Sequence, residues 1–113
     1  MADPHLLATD LTVTSIGNVN QNYTGTPVPT SIYTRHSYQV ITSQLPASGH
    51  FRVLVSNQKG ENAIFSTIAD YEISSTNNAE GLLYCDTWNF LQARAELTGV
   101  AGGRFTVIEN HTY

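Results

Sequence analysis

Two carboxylates come first among the residues that could do chemistry. In "DYE", Asp70 and Glu72 lie two residues apart, so on a β-strand both point to one face. A calcium site or a glycosidase acid pair could start this way. A glycosidase, however, sets its carboxyls apart across a cleft, usually from different strands. Adjacency does not supply that, and an exposed strand face accounts for the pair. The histidines, His5, His36, His50 and His111, are far apart, and none has a ligating residue two to four positions after it. A zinc-binding spacing is therefore missing, and no metal or cofactor is expected. Cys85 is the single cysteine, with no histidine near it in sequence to act as its base. It reads as a small apolar residue that forms no internal disulfide and marks no oxidising compartment.

Two adjacent glycines, Gly102 and Gly103, in "GVAGG" raise the question of a phosphate loop. Such a loop needs a strand before it and a helix after it, because the helix N-terminus supplies the amides and the dipole. The following "RFTVIEN" alternates as a strand instead, with Phe105 and Val107 opposite Thr106 and Ile108. The glycines are expected to form a hairpin connection, supplying the positive φ that such turns demand. Tyr33, Tyr71, Tyr84 and Trp88 offer rings on which a sugar could stack, although aromatics at strand spacing more often build a core or an interface.

Charge is scarce. Only 12% of the 113 residues are charged, the formal net charge is -4, and Lys59 is the one lysine. No basic patch exists to neutralise a phosphate backbone, so nucleic acid is not an expected partner. The start "MADPHLLATD" carries neither a basic region nor an apolar run of signal length, and no stretch is long enough to span a membrane. The expectation is a soluble chain made in the cytoplasm, in which "NYT" at Asn22 and "NHT" at Asn110 match the glycosylation pattern by chance. Threonine, serine and asparagine stand where charge would, as on β-proteins that pack against other protein.

The elements that must position these residues follow from period-2 alternation. Strands are expected in "HSYQVITSQLP", where Pro46 ends the run, in "HFRVLVSNQKGEN", closed by a turn around Asn57, Lys59 and Gly60, and in "NAIFSTIADYEIS", before a polar loop "SSTNNAEG". From Leu82 to Thr98 neither a proline nor a glycine interrupts the run, and this is the one place where a helix competes. Phe90, Arg94 and Leu97 share a helical face there, while Leu91, Ala93, Ala95 and Leu97 share a strand face. The β context favours the strand. The expected core is Tyr38, Val40, Phe51, Val53, Val55, Trp88, Leu91, Ala93, Phe105 and Val107. Arg94 is expected either to be solvated or to pair with Glu96 or Asp86.

Residues 1–35 behave differently. "LTVTSIGNV" can make one strand, but "NQNYTGTPVPTSIYTRH" carries Gly25, Pro27 and Pro29 and no continuous apolar face. An extended N-terminal arm over 1–35 and a domain over 36–113 are expected. The arm's Leu6, Leu7, Leu11, Val13, Ile16, Val28 and Ile32 are too many apolar side chains for a solvated tail, and are the candidate interface residues. One domain of this length buries roughly two thirds of its unfolded surface, enough for a core without metal or disulfide. The fold class is all-β, an antiparallel β-sandwich of jelly-roll or Ig-like kind.

"FRVLVSNQKG" at 51–60 and "TWNFLQARAELTGVAGGRFTVIE" at 87–109 resemble a pattern in small virion proteins of tailed bacteriophages. In that pattern a strand ends in a turn, an aromatic-rich strand carries an arginine, matched by Arg94, and a Gly-Gly hairpin leads into the last strand. The resemblance spans about residues 38 to 109. It departs where Lys59-Gly60 replaces Asp-Gly and at the insert "SSTNNAEGLLYCD". It implies a non-enzymatic structural component of a bacteriophage virion, assembled in the host cytoplasm: a head decoration or cement protein, or a tail- or fibre-associated subunit. Its implied partners are the major capsid protein or other virion proteins and further copies of itself, with a trimer possible, and no membrane. A carbohydrate-binding module is the rival from another class.

Overall fold

The computed structural model describes residues 10–60, 62–75 and 82–113. They form β1 (Leu11–Val19), β2 (Tyr23–Thr24), β3 (Val28–Pro29), β4 (Arg35–Ser56), β5 (Ser66–Ser75), β6 (Leu82–Thr87) and β7 (Gln92–Thr112). All belong to one seven-stranded sheet with every pairing antiparallel. Among the described residues no helix forms. The run whose periodicity fits both templates is a strand from Gln92, with Ala93, Ala95 and Leu97 buried.

The organising feature is the pair β4 and β7, 22 and 21 residues long and hydrogen-bonded along most of their length. A straight strand of β4's length would measure roughly 70 Å, yet the longest dimension of the molecule is 52 Å. Tyr38 and Phe51 on β4 would stand roughly 43 Å apart on a straight strand, but their rings lie 5.9 Å apart. Both long strands therefore fold back on themselves at mid-length. In β4 the corner is at Gln44, with φ 53°, and in β7 it lies between Gly99, φ 58°, and Gly103, φ 79°. The register slips at the same place, from Ser43↔Arg104 to Ser48↔Gly102 and His50↔Thr98.

This geometry corrects the hairpin expected at "GVAGG". The chain does not reverse beside itself there; β7 continues through the glycines as one strand. Positive-φ residues with a register slip are a β-bulge, which bends a strand without ending it. Pro46, expected to end a strand, likewise lies inside β4 at its corner. The turn expected around Asn57 to Gly60 is present, with Gly60 at φ 88° between β4 and β5.

Folding over brings two halves of the sheet face to face. β6, the first part of β4, the last part of β7 and β1 make one half. β5, the rest of β4, the first part of β7, and β2 and β3 make the other. Inward positions of both fill one core: Ile16, Tyr38, Val40, Phe105 and Val107 from the first, Phe51, Val53, Val55, Ala93, Ala95 and Leu97 from the second. Each fully buried Val, Leu or Phe contributes about 1.5–3 kcal/mol, which is what the alternation achieves. The expected core residues are buried except Trp88 and Leu91, which are half-buried. The layering is that of an antiparallel sheet folded over on itself, with the β4–β7 ladder interrupted at the corners and resumed beyond them.

The segment set apart as an arm enters this domain as far as it is described. "LTVTSIGNV" is β1, paired with β7 from Leu11↔His111 to Val19↔Phe105, and β2 and β3 pair with β7 as well. Gly25 donates its N–H to the Ala95 carbonyl at 2.8 Å, and an added Cβ would lie 3.1 Å from that oxygen, so the chain runs close along β7. Ile16 is buried at 1% exposure and Val28 at 7%, in the chain's own interior, while Leu11 and Val13 are half-buried and Ile32 is 59% exposed. A boundary near residue 35 is not where the structure divides, because β7 offers an unpaired edge that β1 satisfies. Leu6 and Leu7, and residues 76–81 of the expected loop "SSTNNAEG", lie outside the described residues, while its first two, Ser74 and Ser75, end β5.

Candidate functional site

Alternation along β4 puts His36, Tyr38, Val40 and Thr42 on inward positions, and along β7 it does the same for Phe105, Val107, Glu109 and His111. Val40, Phe105 and Val107 among them are apolar, whereas His36, Glu109 and His111, at the end far from the corner, are polar. The β4–β7 register sets His36 beside His111 and Tyr38 beside Glu109. His36 is 2% exposed, and Glu109 and His111 are fully buried.

These side chains form a row. His36 Nε2 lies 2.9 Å from the Trp88 carbonyl oxygen, His36 Nδ1 lies 2.8 Å from His111 Nδ1, and His111 Nε2 lies 2.7 Å from Glu109 Oε1. Trp88 stacks on His36 with ring centroids 3.4 Å apart and planes within 9°. The Tyr38 ring meets His111 edge-on at 5.8 Å, and Tyr33 approaches it at 6.0 Å. Tyr38 Oη and Glu109 Oε2 are buried without a hydrogen-bond partner among the described residues. Burial lowers the pKa of His36 because it penalises the imidazolium, although the Trp88 carbonyl works in the opposite sense. Burial, helped by the Glu109 carboxyl, raises that of the Tyr38 hydroxyl, and burial with the Asp86 hydrogen bond pushes Tyr84 up to about 12.

Sequence separation concealed this cluster, since His111 lies 75 positions after His36. Strand pairing brings them together. A signal was present all the same: both histidines and Glu109 fall on the core-facing parity of their strands, where an ionisable group needs a partner.

The other candidates are held in structural contacts. Asp70 and Glu72 share the exposed face of β5. Asp70 accepts from Arg52 Nε at 3.1 Å and lies 3.2 Å from His50 Nδ1. The His50 hydrogen bond, with Arg52, holds its carboxyl below the usual range. Arg52 also reaches Glu96 at 3.6 Å. Arg94, expected to be solvated or paired with Glu96 or Asp86, lies over the Phe65 ring at 4.1 Å. Asp86 instead accepts from Tyr84 Oη and the Thr87 N–H. Of the rings considered for sugar stacking, Tyr33 and Tyr84 are buried and Trp88 is covered by His36, which leaves Tyr71 at 39% exposure, packed on Tyr84. Cys85 is exposed on β6.

Two surface concavities stand out among the described residues. One of about 380 Å³ lies on the outer side of β6, β4 and β7, among Arg35, Ser37, Cys85, Thr87 and Asn110. The other, of about 460 Å³, separates β1 from the β2–β3 segment and is lined by Leu11, Val13, Pro27, Val28 and Pro29. Apolar side chains also project outward at Ile32, Ile64 (74% exposed) and Leu83 (73% exposed).

The chain shares its fold with a prophage-derived protein. The crystal structure of SPBc2 prophage-derived protein YomS superimposes with a TM-score of 0.69, covering 93% of this chain and 94% of YomS. At 13% identity the likeness to YomS is one of fold. Because the uncovered remainder is too short to hold residues 1–35, the likeness to YomS takes in much of that segment along with the sheet. No protein-family model matches the sequence, and no curated protein matches it.

Proposed function

We propose that the protein is a non-enzymatic structural component of a bacteriophage virion, acting as a decoration or cement subunit of the head. It stabilises the particle by burying its own surface between neighbouring subunits. The observation that carries the reading is the near-complete superposition on YomS, a prophage-derived protein. The chemistry of the surface supports it. The described ion pairs are internal braces, and the outward Leu83 and Ile64 are apolar groups whose burial against a neighbour would contribute about 25 cal/mol per Å².

The test is particle-borne. Virions of the phage that encodes this chain are banded by density and their protein content quantified. A head decoration protein co-bands at a fixed stoichiometry of many copies per particle, and particles lacking it lose infectivity at a lower temperature. Copies numbered in single digits would place it in the tail or a fibre instead. Its complete absence from banded particles refutes the proposal.

A further inference from the structure

The row at the polar end of the core has its hydrogens fixed by its neighbours. The Trp88 carbonyl can only accept, so His36 Nε2 carries a hydrogen. His36 Nδ1 and His111 Nδ1, 2.8 Å apart, need one hydrogen between them, since two lone pairs at that distance repel. His111 Nε2 and Glu109 Oε1, 2.7 Å apart, need another. Three contacts take three hydrogens. Two neutral imidazoles bring two, and an ionised carboxylate brings none.

We propose that the folded protein traps one extra proton in the His36–His111–Glu109 row, making this end of the sheet a latch that both acid and alkali loosen. The count does not depend on where the proton rests. Whether it sits on Glu109, on His111 or on His36, the row as a whole is uncharged, which is the state a site closed to water tolerates.

Among the groups packed around the row, the Asp86 carboxyl on β6 adds to that balance, because its charge favours the protonated form of His36 in the same sense as Glu109. From β4 comes the Tyr38 hydroxyl, which burial keeps protonated. From β6 come Tyr84 and Asp86, bonded to each other. Tyr33 lies against His111 from the segment before β4 and itself carries Tyr113 on its other side. β1 sets the apolar Leu11 and Val13 beside His111 and Glu109, and Trp88 covers His36.

In the unfolded chain the same groups titrate near their free values, about 6.5 for each histidine and 4.3 for the glutamate. The unfolded row therefore holds about one extra proton at pH 6.5, about two at pH 5 and almost none at pH 8. Above pH 6.5 the folded state binds more protons, so stability falls as pH rises; below it the unfolded state binds more, so stability falls as pH falls. The contribution of the row peaks near pH 6.5, and the unfolding equilibrium constant grows by up to about tenfold per pH unit on either side.

Glu109→Gln separates the two limbs. A glutamine amide donates its own N–H to His111 Nε2 and satisfies the row without the trapped proton. Urea unfolding of the full chain is measured from pH 5 to 8.5. The wild type is expected to lose stability on both sides of pH 6.5, and E109Q only on the acid side, so that the ratio of their unfolding constants changes about tenfold per unit above pH 6.5. Proton uptake on refolding of the wild type at pH 8, read by calorimetry in two buffers of different ionisation heat, is expected to be about one proton and serves if the variant does not fold. An uptake near zero, or an alkaline limb unchanged in E109Q, overturns the proposal.

Discussion

Replacing Gly103 with alanine tests the corner of β7 directly. An added Cβ there would overlap Ala47 Cβ and sit 2.7 Å from Ala47 Cα, and the residue holds φ 79°. The contact with Cα matters most, because a backbone atom of β4 must move. Two controls isolate the causes. Gly60 has φ 88° with nothing within 4 Å of its added Cβ, and Gly17 has open space and no positive φ. The left-handed conformation costs a non-glycine residue roughly 1–2 kcal/mol, offset by about 0.4–1 kcal/mol from the less flexible unfolded chain. Gly60→Ala should therefore lose about 1 kcal/mol, and Gly17→Ala should be neutral or slightly stabilising. Gly103→Ala adds overpacking of about 1–3 kcal/mol against β4, for a total of about 3 kcal/mol. With an unfolding entropy of about 2.1 cal/mol/K per residue, that total lowers Tm by roughly 12 °C. Urea unfolding of all three at constant m-value provides the comparison. A Gly103→Ala variant no more than about 1 kcal/mol less stable than Gly60→Ala would refute the close stacking of the two corners.

Phe51→Ala, at the centre of the core, is expected to cost about 3–5 kcal/mol by urea unfolding. Ile16→Ala should cost about 2–5 kcal/mol in the same assay, because β1 belongs to the folding unit; a loss below about 0.5 kcal/mol would mean that it does not. The Asp70 carboxyl, followed by carbon NMR, should titrate below a free aspartate and move upward in His50→Gln. Its contribution to stability is present above the free carboxyl value and lost as pH falls through the lowered one. Leu83→Ser and Ile64→Ser should leave urea stability within about 0.5 kcal/mol while weakening self-association or particle binding in sedimentation.

The strands were legible because alternation records which face is buried: Tyr38, Val40, Phe51, Val53, Phe105 and Val107 all occupy the inward positions that their spacing assigns. The corners were not legible, because a glycine pair of which one member takes a positive φ, here Gly103, has the same local signature in a hairpin and in a bulge. The difference lies in whether the partner strand bends at the same place, and β4 does so at Gln44, a residue with no sequence preference for φ 53°. The first 35 residues misled for a related reason. A short edge strand needs an apolar residue only where it faces the core, so one fully buried Ile16 and scattered half-buried neighbours look too sparse for a strand until β7 is seen to lack a partner on that side. The buried row was hidden by distance along the chain, and became visible only through the register His36↔His111.

The pairing of β1, β2 and β3 with β7 alone also dictates an order of events during synthesis. Leu11 cannot meet His111 until the last strand has left the ribosome, and at about 5–20 residues per second the hundred residues between them take roughly 5–20 s to make. Through that interval Leu11, Val13 and Ile16 have no strand to pair with, so the N-terminal third must wait unzipped while β4, β5 and β6 are already present. Closure comes at the end, when a single strand arrives that completes both halves of the sheet at once, and a nascent chain stalled before residue 92 would hold none of the pairings that bury its beginning.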